Sequence, residues 1–494
     1  MKMPDRSPIT TASPPAASFV TRAPGALFRM KALPSDAKNI FIQRRSPPDR
    51  VTKNRRVIAA LAAALMLAAC ARGGQGQNGE ALSITIEQSA AGPWRVVYDF
   101  AAPPATIDLG ASIGGYRARH WRVETDGAAL VERDGRDFIV FDGAPLATIS
   151  ALVEPAPVDL RKDYEPFAPM GDGGMLVYTG HFIPYREDGA ARAPALLTIV
   201  AAEGARVSAF GETSSRFVNW KSPFDHPAFI YVGPRTPTSE GPISVIVDAS
   251  APDWVKAEIA TLAPNLSRAF DELLGEPATA TADLFVSIGD PGEAGKLSYS
   301  GDALPGQYQM TLSGDVWRQA GDQALAVIRR STAHEAAHLW QHGAAALSAG
   351  APGWIHEGGA DALAAEALRV AGYWSADDAE ADLALARAVC AQTLKGRSLV
   401  KAEADGAWDG VYACGHVLTA LAAGPEGAGS FWREFLRRAR IAGGYDAALF
   451  FALAQERAGP GMALALRDLA RINNAQPGPI IEGLFARLEA GSAH

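Results

Sequence analysis

The residues best suited to chemistry are His334, Glu335 and His338, in the stretch Ser331-Thr332-Ala333-His334-Glu335-Ala336-Ala337-His338-Leu339-Trp340. The surrounding segment, Asp322 to His342, reads as a helix with an acid near its start and Gly343 just past its end. Residues four apart on a helix share a face, so the two imidazoles can converge on one cation. Glu335 then stands beside them, placed to take a proton from a metal-bound water. A hydrolytic zinc site needs a third protein ligand and an open fourth position. Glu357, in Gly353-Trp354-Ile355-His356-Glu357-Gly358-Gly359-Ala360-Asp361, is the candidate: 18 residues separate it from His338, and it starts a second helix running toward Val370. Asp361 lies one turn further on that face, where its carboxylate can accept the far N–H of a ligating imidazole and fix the ring. The expected cofactor is a single Zn2+ ion.

Those two motifs and the gap between them resemble the gluzincin metallopeptidases, in the aminopeptidase-N and glycyl-aminopeptidase branch. The motifs span roughly residues 331–416, and a β-then-α order extends a weaker match over 81–494. The resemblance implies an N-terminal β saddle followed by a thermolysin-like catalytic domain, with His334, His338 and Glu357 as zinc ligands and Glu335 as general base. The family also uses a tyrosine on a later helix, usually as Tyr-x-x-Gly, to stabilise the oxyanion. Tyr412-Ala413-Cys414-Gly415 matches that pattern, which assigns the role to Tyr412. One family feature is missing. Relatives carry a Gly-x-Met-Glu-Asn strand whose Glu holds the substrate's free amine, and the corresponding stretch here is read as Pro305-Gly306-Gln307-Tyr308-Gln309-Met310, with Asp302 and Asp315 flanking it off register. The resemblance therefore implies hydrolysis of a peptide or protein substrate without implying an aminopeptidase mode. Two other readings stay open: a catalytically impaired, peptidase-like binding lipoprotein, and a zinc hydrolase of non-peptide amides or esters. Gln309 and His416, the latter one turn after Tyr412, are expected to line the cleft. His342 and His356 are read as packed or solvent-facing rings. With His494 as the last residue, the long C-terminal domains of larger relatives are not expected.

Two kinds of element must position these groups. From about 81 to 250 the chain carries short β-branched or aromatic runs, among them Leu82 to Ile86, Trp94 to Phe100, Phe138 to Phe141, Met175 to Tyr178, Leu196 to Val200 and Ile243 to Val247, separated by Gly, Pro, Asp and Asn. An antiparallel sandwich or saddle is predicted there. Over 251–494 the pattern turns helical, with a break or kink at Pro264, one more strand at Asp283 to Ile288, and nearly continuous helix after Asp322. The predicted fold class is α+β multidomain, a β domain followed by a mainly helical, thermolysin-like catalytic domain.

The 494 residues are 48% hydrophobic and 20% charged, which excludes a disordered, collagen-like or multi-spanning membrane chain. The first 69 residues hold 12 Lys and Arg against three Asp, leaving 34 basic and 51 acidic residues, a net charge of −17, for 70–494. So acidic a surface repels phosphate backbones, and no nucleic-acid partner is expected. Residues 1–50 read as an extension outside the fold. Within 51–70, Lys53-Asn54-Arg55-Arg56 precedes the apolar run Val57 to Ala69, and Leu67-Ala68-Ala69-Cys70 closes it. This resembles the lipobox of bacterial lipoproteins, which implies cleavage before Cys70, its lipidation, and a membrane-anchored protein facing the periplasm or cell exterior. Residues 71–80 read as a tether. Beyond Cys70 the cysteines are Cys390 and Cys414, an even number in a compartment that permits disulfides. A bridge between them and a pair of buried thiols are both compatible with the spacing. The oligomeric state is left open.

Overall fold

The computed structural model describes residues 82–491, apart from 159–163, 187, 188, 190, 225, 241, 242, 276–281, 291–294, 345–347, 349 and 350. The leader, Cys70 and the tether lie outside the described residues. The N-terminal half is a sandwich of short strands. A six-stranded sheet runs Arg216–Trp220, Leu196–Val200, Leu82–Glu87, Trp94–Phe100, Thr148–Val153, Trp121–Val123, and a five-stranded sheet contains Met175–Tyr178 and Phe229–Gly233. Alternate residues such as Leu82, Ile84 and Ile86 point inward and are buried against Val177, Ile230 and Val232 of the other sheet. All pairings in the six-stranded sheet are antiparallel except one, between Leu82–Glu87 and Leu196–Val200.

The second unit is built on a mixed sheet of five strands: β1 (Thr238–Glu240), β2 (Ile243–Val247), β3 (Ala282–Ile288), β4 (Ser298–Leu304) and β5 (Gln307–Ser313), in the order β1-β2-β3-β5-β4. The sequence reading placed 243–247 with the β domain, but β2 pairs in parallel with β3, so the sheet crosses the boundary expected at residue 250. An apolar run with no alternation fits a sandwich strand or a strand covered on both faces, and the sheet is of the second kind. Parallel neighbours need a crossover, and helix α1 (Asp253–Leu274) supplies it. Its buried stripe Val255, Ile259, Leu262, Leu266 and Phe270 follows helical spacing. Pro264 sits inside α1 without breaking it. The carbonyl it cannot serve belongs to Ala260, which is exposed to water.

The helices that follow the sheet build up on the same side as α1, the first of them packing directly on the strands. Those that matter for the site are α2 (Asp322–Ala344), α3 (Gly353–Val370), α4 (Ala376–Leu394) and α5 (Trp408–Ala423). A single apolar core joins α1, the sheet residues Leu284, Val286, Tyr308, Met310 and Leu312, and helices α2 to α5. The opposite face of the sheet, through Ile246, Phe285 and Leu304, packs on Tyr178, Phe229 and Tyr231 of the β domain. A disulfide between Cys390 and Cys414, with Cα atoms 4.7 Å apart, ties α4 to α5.

Candidate active site

The site forms where α2, α3 and α5 meet beside the edge strand β4. Residues 331–341 of α2 are buried on every side, which allows His334, Glu335 and His338 to be shielded from bulk water together. Helices α3 and α5 approach without side chains between them: a Cβ on Gly358 would lie 2.3 Å from the Gly415 Cα, and one on Gly415 would lie 2.0 Å from the Trp354 carbonyl oxygen. These two glycines let α5 carry Tyr412 up to Glu357.

His334 Nε2, His338 Nε2 and Glu357 Oε2 make a triangle with edges of 3.1, 3.3 and 3.5 Å. Ligands about 2.0–2.1 Å from a tetrahedral zinc stand about 3.3 Å from one another, so the donor set has the right size. The tautomers agree. His334 Nδ1 is 2.8 Å from Asp361 Oδ1 and His338 Nδ1 is 2.6 Å from Gln341 Oε1. The Gln341 amide is oriented by donation from its Nε2 to the His356 carbonyl, 2.9 Å away. Both Nδ1 atoms therefore donate, leaving two Nε2 lone pairs turned toward one point. Electrostatics ask for a cation there. Burial opposes charge on His334, yet hydrogen bonds to Asp361 and Glu357 outweigh it and lift its pKa to about 10. Although burial disfavours the Glu357 carboxylate, the neighbouring His338 and His334 hold it well below its ordinary range.

Glu335 is 2% exposed, and its Oε1 has no hydrogen-bond partner. Burial pushes its carboxyl above the ordinary range, against the pull of His334 and His338. The Tyr412 phenol is hydrogen-bonded to Glu357, its ring is 5.6 Å from that of His334, and burial raises its pKa further above 10. His356 stacks on His338 at 4.3 Å and its Nδ1 meets the Tyr445 hydroxyl at 2.5 Å. His342 packs 5.0 Å from the His356 ring, and burial brings its pKa down to about 3. Both are rings in a neutral stack. Among the His, Cys, Asp and Glu side chains of the described residues, the group able to hold a metal consists of His334, His338 and Glu357.

Two expected cleft residues lie elsewhere. Gln309 is on the interior strand β5, opposite Asp302 on β4, and donates from Nε2 to Asp302 Oδ2 at 2.7 Å. The pleat turns both toward the β domain, because the next register pair, Gly301 and Met310, faces α2: Met310 Sδ accepts from Thr332. Both β4 and β5 border α2, β4 as the edge strand, and the positions β4 turns toward the helix are Tyr299, Gly301 and Ala303, none of them acidic. His416 is buried with its Nδ1 3.7 Å from Asp382, behind the site. Gln341 and Arg330 escaped the sequence reading, although each is spaced from a site histidine by a helical interval. Asp382 and Tyr445 had no local signal.

No protein-family model matches the sequence, and no curated protein sequence matches it. Solved structures do. The chain resembles an aminopeptidase N family protein from Idiomarina loihiensis, with a TM-score of 0.60 at 11% identity over 80% of this chain and 76% of that one. An M1 zinc metallopeptidase from Deinococcus radiodurans aligns over 82% of this chain and 97% of that one, with a TM-score of 0.48 at 16% identity. Fold and residue cluster together give a β domain followed by a mainly helical domain whose helices bring two histidines and a glutamate to one point. That order of domains is shared with the aminopeptidase N family protein, which the fold resembles.

Proposed function

We propose that the protein is a zinc-dependent metallopeptidase, carried to the membrane by lipid on Cys70 and facing the periplasm or cell exterior. The observation that carries the catalytic reading is the triangle of His334, His338 and Glu357 donors beside a buried Glu335 whose Oε1 has no hydrogen-bond partner. Zinc held there would supply Lewis acidity toward water and a carbonyl oxygen. Glu335 Oε1 accepts the proton of the attacking water and returns it to the departing amine. The Tyr412 hydroxyl, which lies against Glu357, would donate to the oxygen on which negative charge develops. Tyr299, Gly301 and Ala303 on the edge strand offer no carboxylate for a substrate's ammonium group, which supports cleavage that does not depend on a free N-terminus. The lipid anchor is supported by the leader sequence alone.

The test is mass-spectrometric mapping of cleavage in a peptide library with free and acetylated N-termini, using the zinc-loaded protein and its Glu335→Gln variant. Cutting of both sets by wild type, with zinc retained and turnover lost in Glu335→Gln, is the expected result. Bound zinc without any cleavage would move the assignment to a binding lipoprotein or to a non-peptide amide or ester substrate.

A further inference from the structure

Behind the ligand triangle lies a second charged layer that the hydrolytic chemistry does not use. Arg330 is on α2, one turn before His334. Its Nη1 donates to Asp361 Oδ1 at 2.9 Å, the same oxygen that faces His334 Nδ1 at 2.8 Å. Its Nε and Nη2 donate to Asp382 Oδ1 and Oδ2 on α4, at 2.9 and 3.4 Å. The guanidinium is therefore clamped by a fork on one side and aimed at Asp361 on the other. His416 of α5 approaches Asp382 from behind.

We propose that Arg330 is a positioning residue for the metal cluster: held by Asp382, it fixes the carboxylate of Asp361 so that His334 presents its Nε2 to the ion. This rests on the zinc reading above. With two donors on one oxygen, the Asp361 carboxylate cannot rotate without breaking a charge-assisted hydrogen bond, and the His334 ring that leans on it keeps one orientation. A ligand ring fixed in this way loses little freedom when the ion binds, and partners of this kind are typically worth 10–100-fold in metal affinity. Without Arg330, the buried Asp361 carboxylate would lose the guanidinium that holds it and keep His334 as its partner, and the ring would follow its movement.

The purified full-length protein, Arg330→Met, Arg330→Lys, Asp382→Asn and the double variant Arg330→Met with Asp382→Asn would be compared by zinc competition against a chromophoric chelator, with circular dichroism as a check on folding. Cobalt(II) absorption spectra would report the ligand geometry. Arg330→Met is expected to raise the zinc Kd about 10–100-fold and shift the cobalt bands. Arg330→Lys, which can reach one carboxylate but cannot fork, should recover part of the loss. Asp382→Asn touches neither His334 nor Asp361, so it should raise Kd only while Arg330 is present and add nothing in the double variant. An unchanged Kd in Arg330→Met, or an Asp382→Asn effect that persists in the double variant, overturns the proposal. Should Arg330→Met fail to fold, an Asp382→Asn protein with wild-type Kd overturns it equally. A wild type that binds no zinc overturns the underlying reading, and this one with it.

Discussion

Gly301 and Glu335 are so close that a Cβ on the glycine would stand 2.5 Å from Glu335 Oε1 and 2.9 Å from its Cδ. The edge strand leaves a methyl-sized space there, and the carboxylate fills it. Gly301→Ala should displace the carboxylate without touching a ligand. The expected outcome is a drop in kcat/KM of about 100-fold, the scale of an ångström's misplacement, with zinc content unchanged. Steady-state kinetics and metal analysis of the same sample check it.

The Tyr412 phenol lies against Glu357. Tyr412→Phe keeps the ring that packs near His334 and removes only the hydroxyl. If that hydroxyl stabilises developing charge, kcat should fall about 100-fold with KM nearly unchanged. A fall in affinity alone would argue that the phenol merely binds substrate.

The bridge between Cys390 and Cys414 closes a loop with a sequence separation of 24. Replacing both cysteines by alanine should cost about 3 kcal/mol of unfolding free energy, on the loop-entropy scale. Urea denaturation of the oxidised wild type and the double variant measures it.

Asp283 accepts from the Phe210 and Gly211 backbone N–H groups and from Gln307 Nε2, and burial raises its pKa above the ordinary 3.8. The native state therefore holds this proton more tightly than the unfolded chain. Its contribution is complete below about pH 4 and is lost as pH rises through the higher native value. The difference in urea midpoint between wild type and Asp283→Asn should accordingly shrink or reverse on going from pH 4 toward neutrality, and a pH-independent difference would contradict it.

The ligand cluster was legible because its parts are local. His334 and His338 need only helical spacing, and Glu357 and Asp361 need only a second helix with the same period. The β domain was legible from short alternating runs between turn residues. What escaped depends on contacts that no local period encodes. The pairing of Ile243–Val247 with Ala282–Ile288 is parallel and made across a crossover helix, so periodicity could not assign it to either domain. The edge strand 298–304 was not foreseen, since it contains Gly301 and Asp302, which weaken a strand signal. Pro264 does not break α1, and Ala260, whose carbonyl it cannot serve, is an exposed residue. Asp382 and Tyr445 join the site only through the packing of α4 and the C-terminal helices.

The turn at Phe210 and Gly211, with φ of +50° and +75°, is held by Asp283 from the neighbouring sheet, and β2 enters that sheet from before the crossover helix. The two halves are consequently not interchangeable modules. A gene trimmed to the motif-bearing half at residue 251 would encode a sheet whose β3 has a bare parallel edge, and a carboxylate stripped of its backbone donors. Recombination among relatives would preserve the catalytic half only if the breakpoint fell upstream of residue 238 and the incoming sandwich still offered a turn that Asp283 could hold.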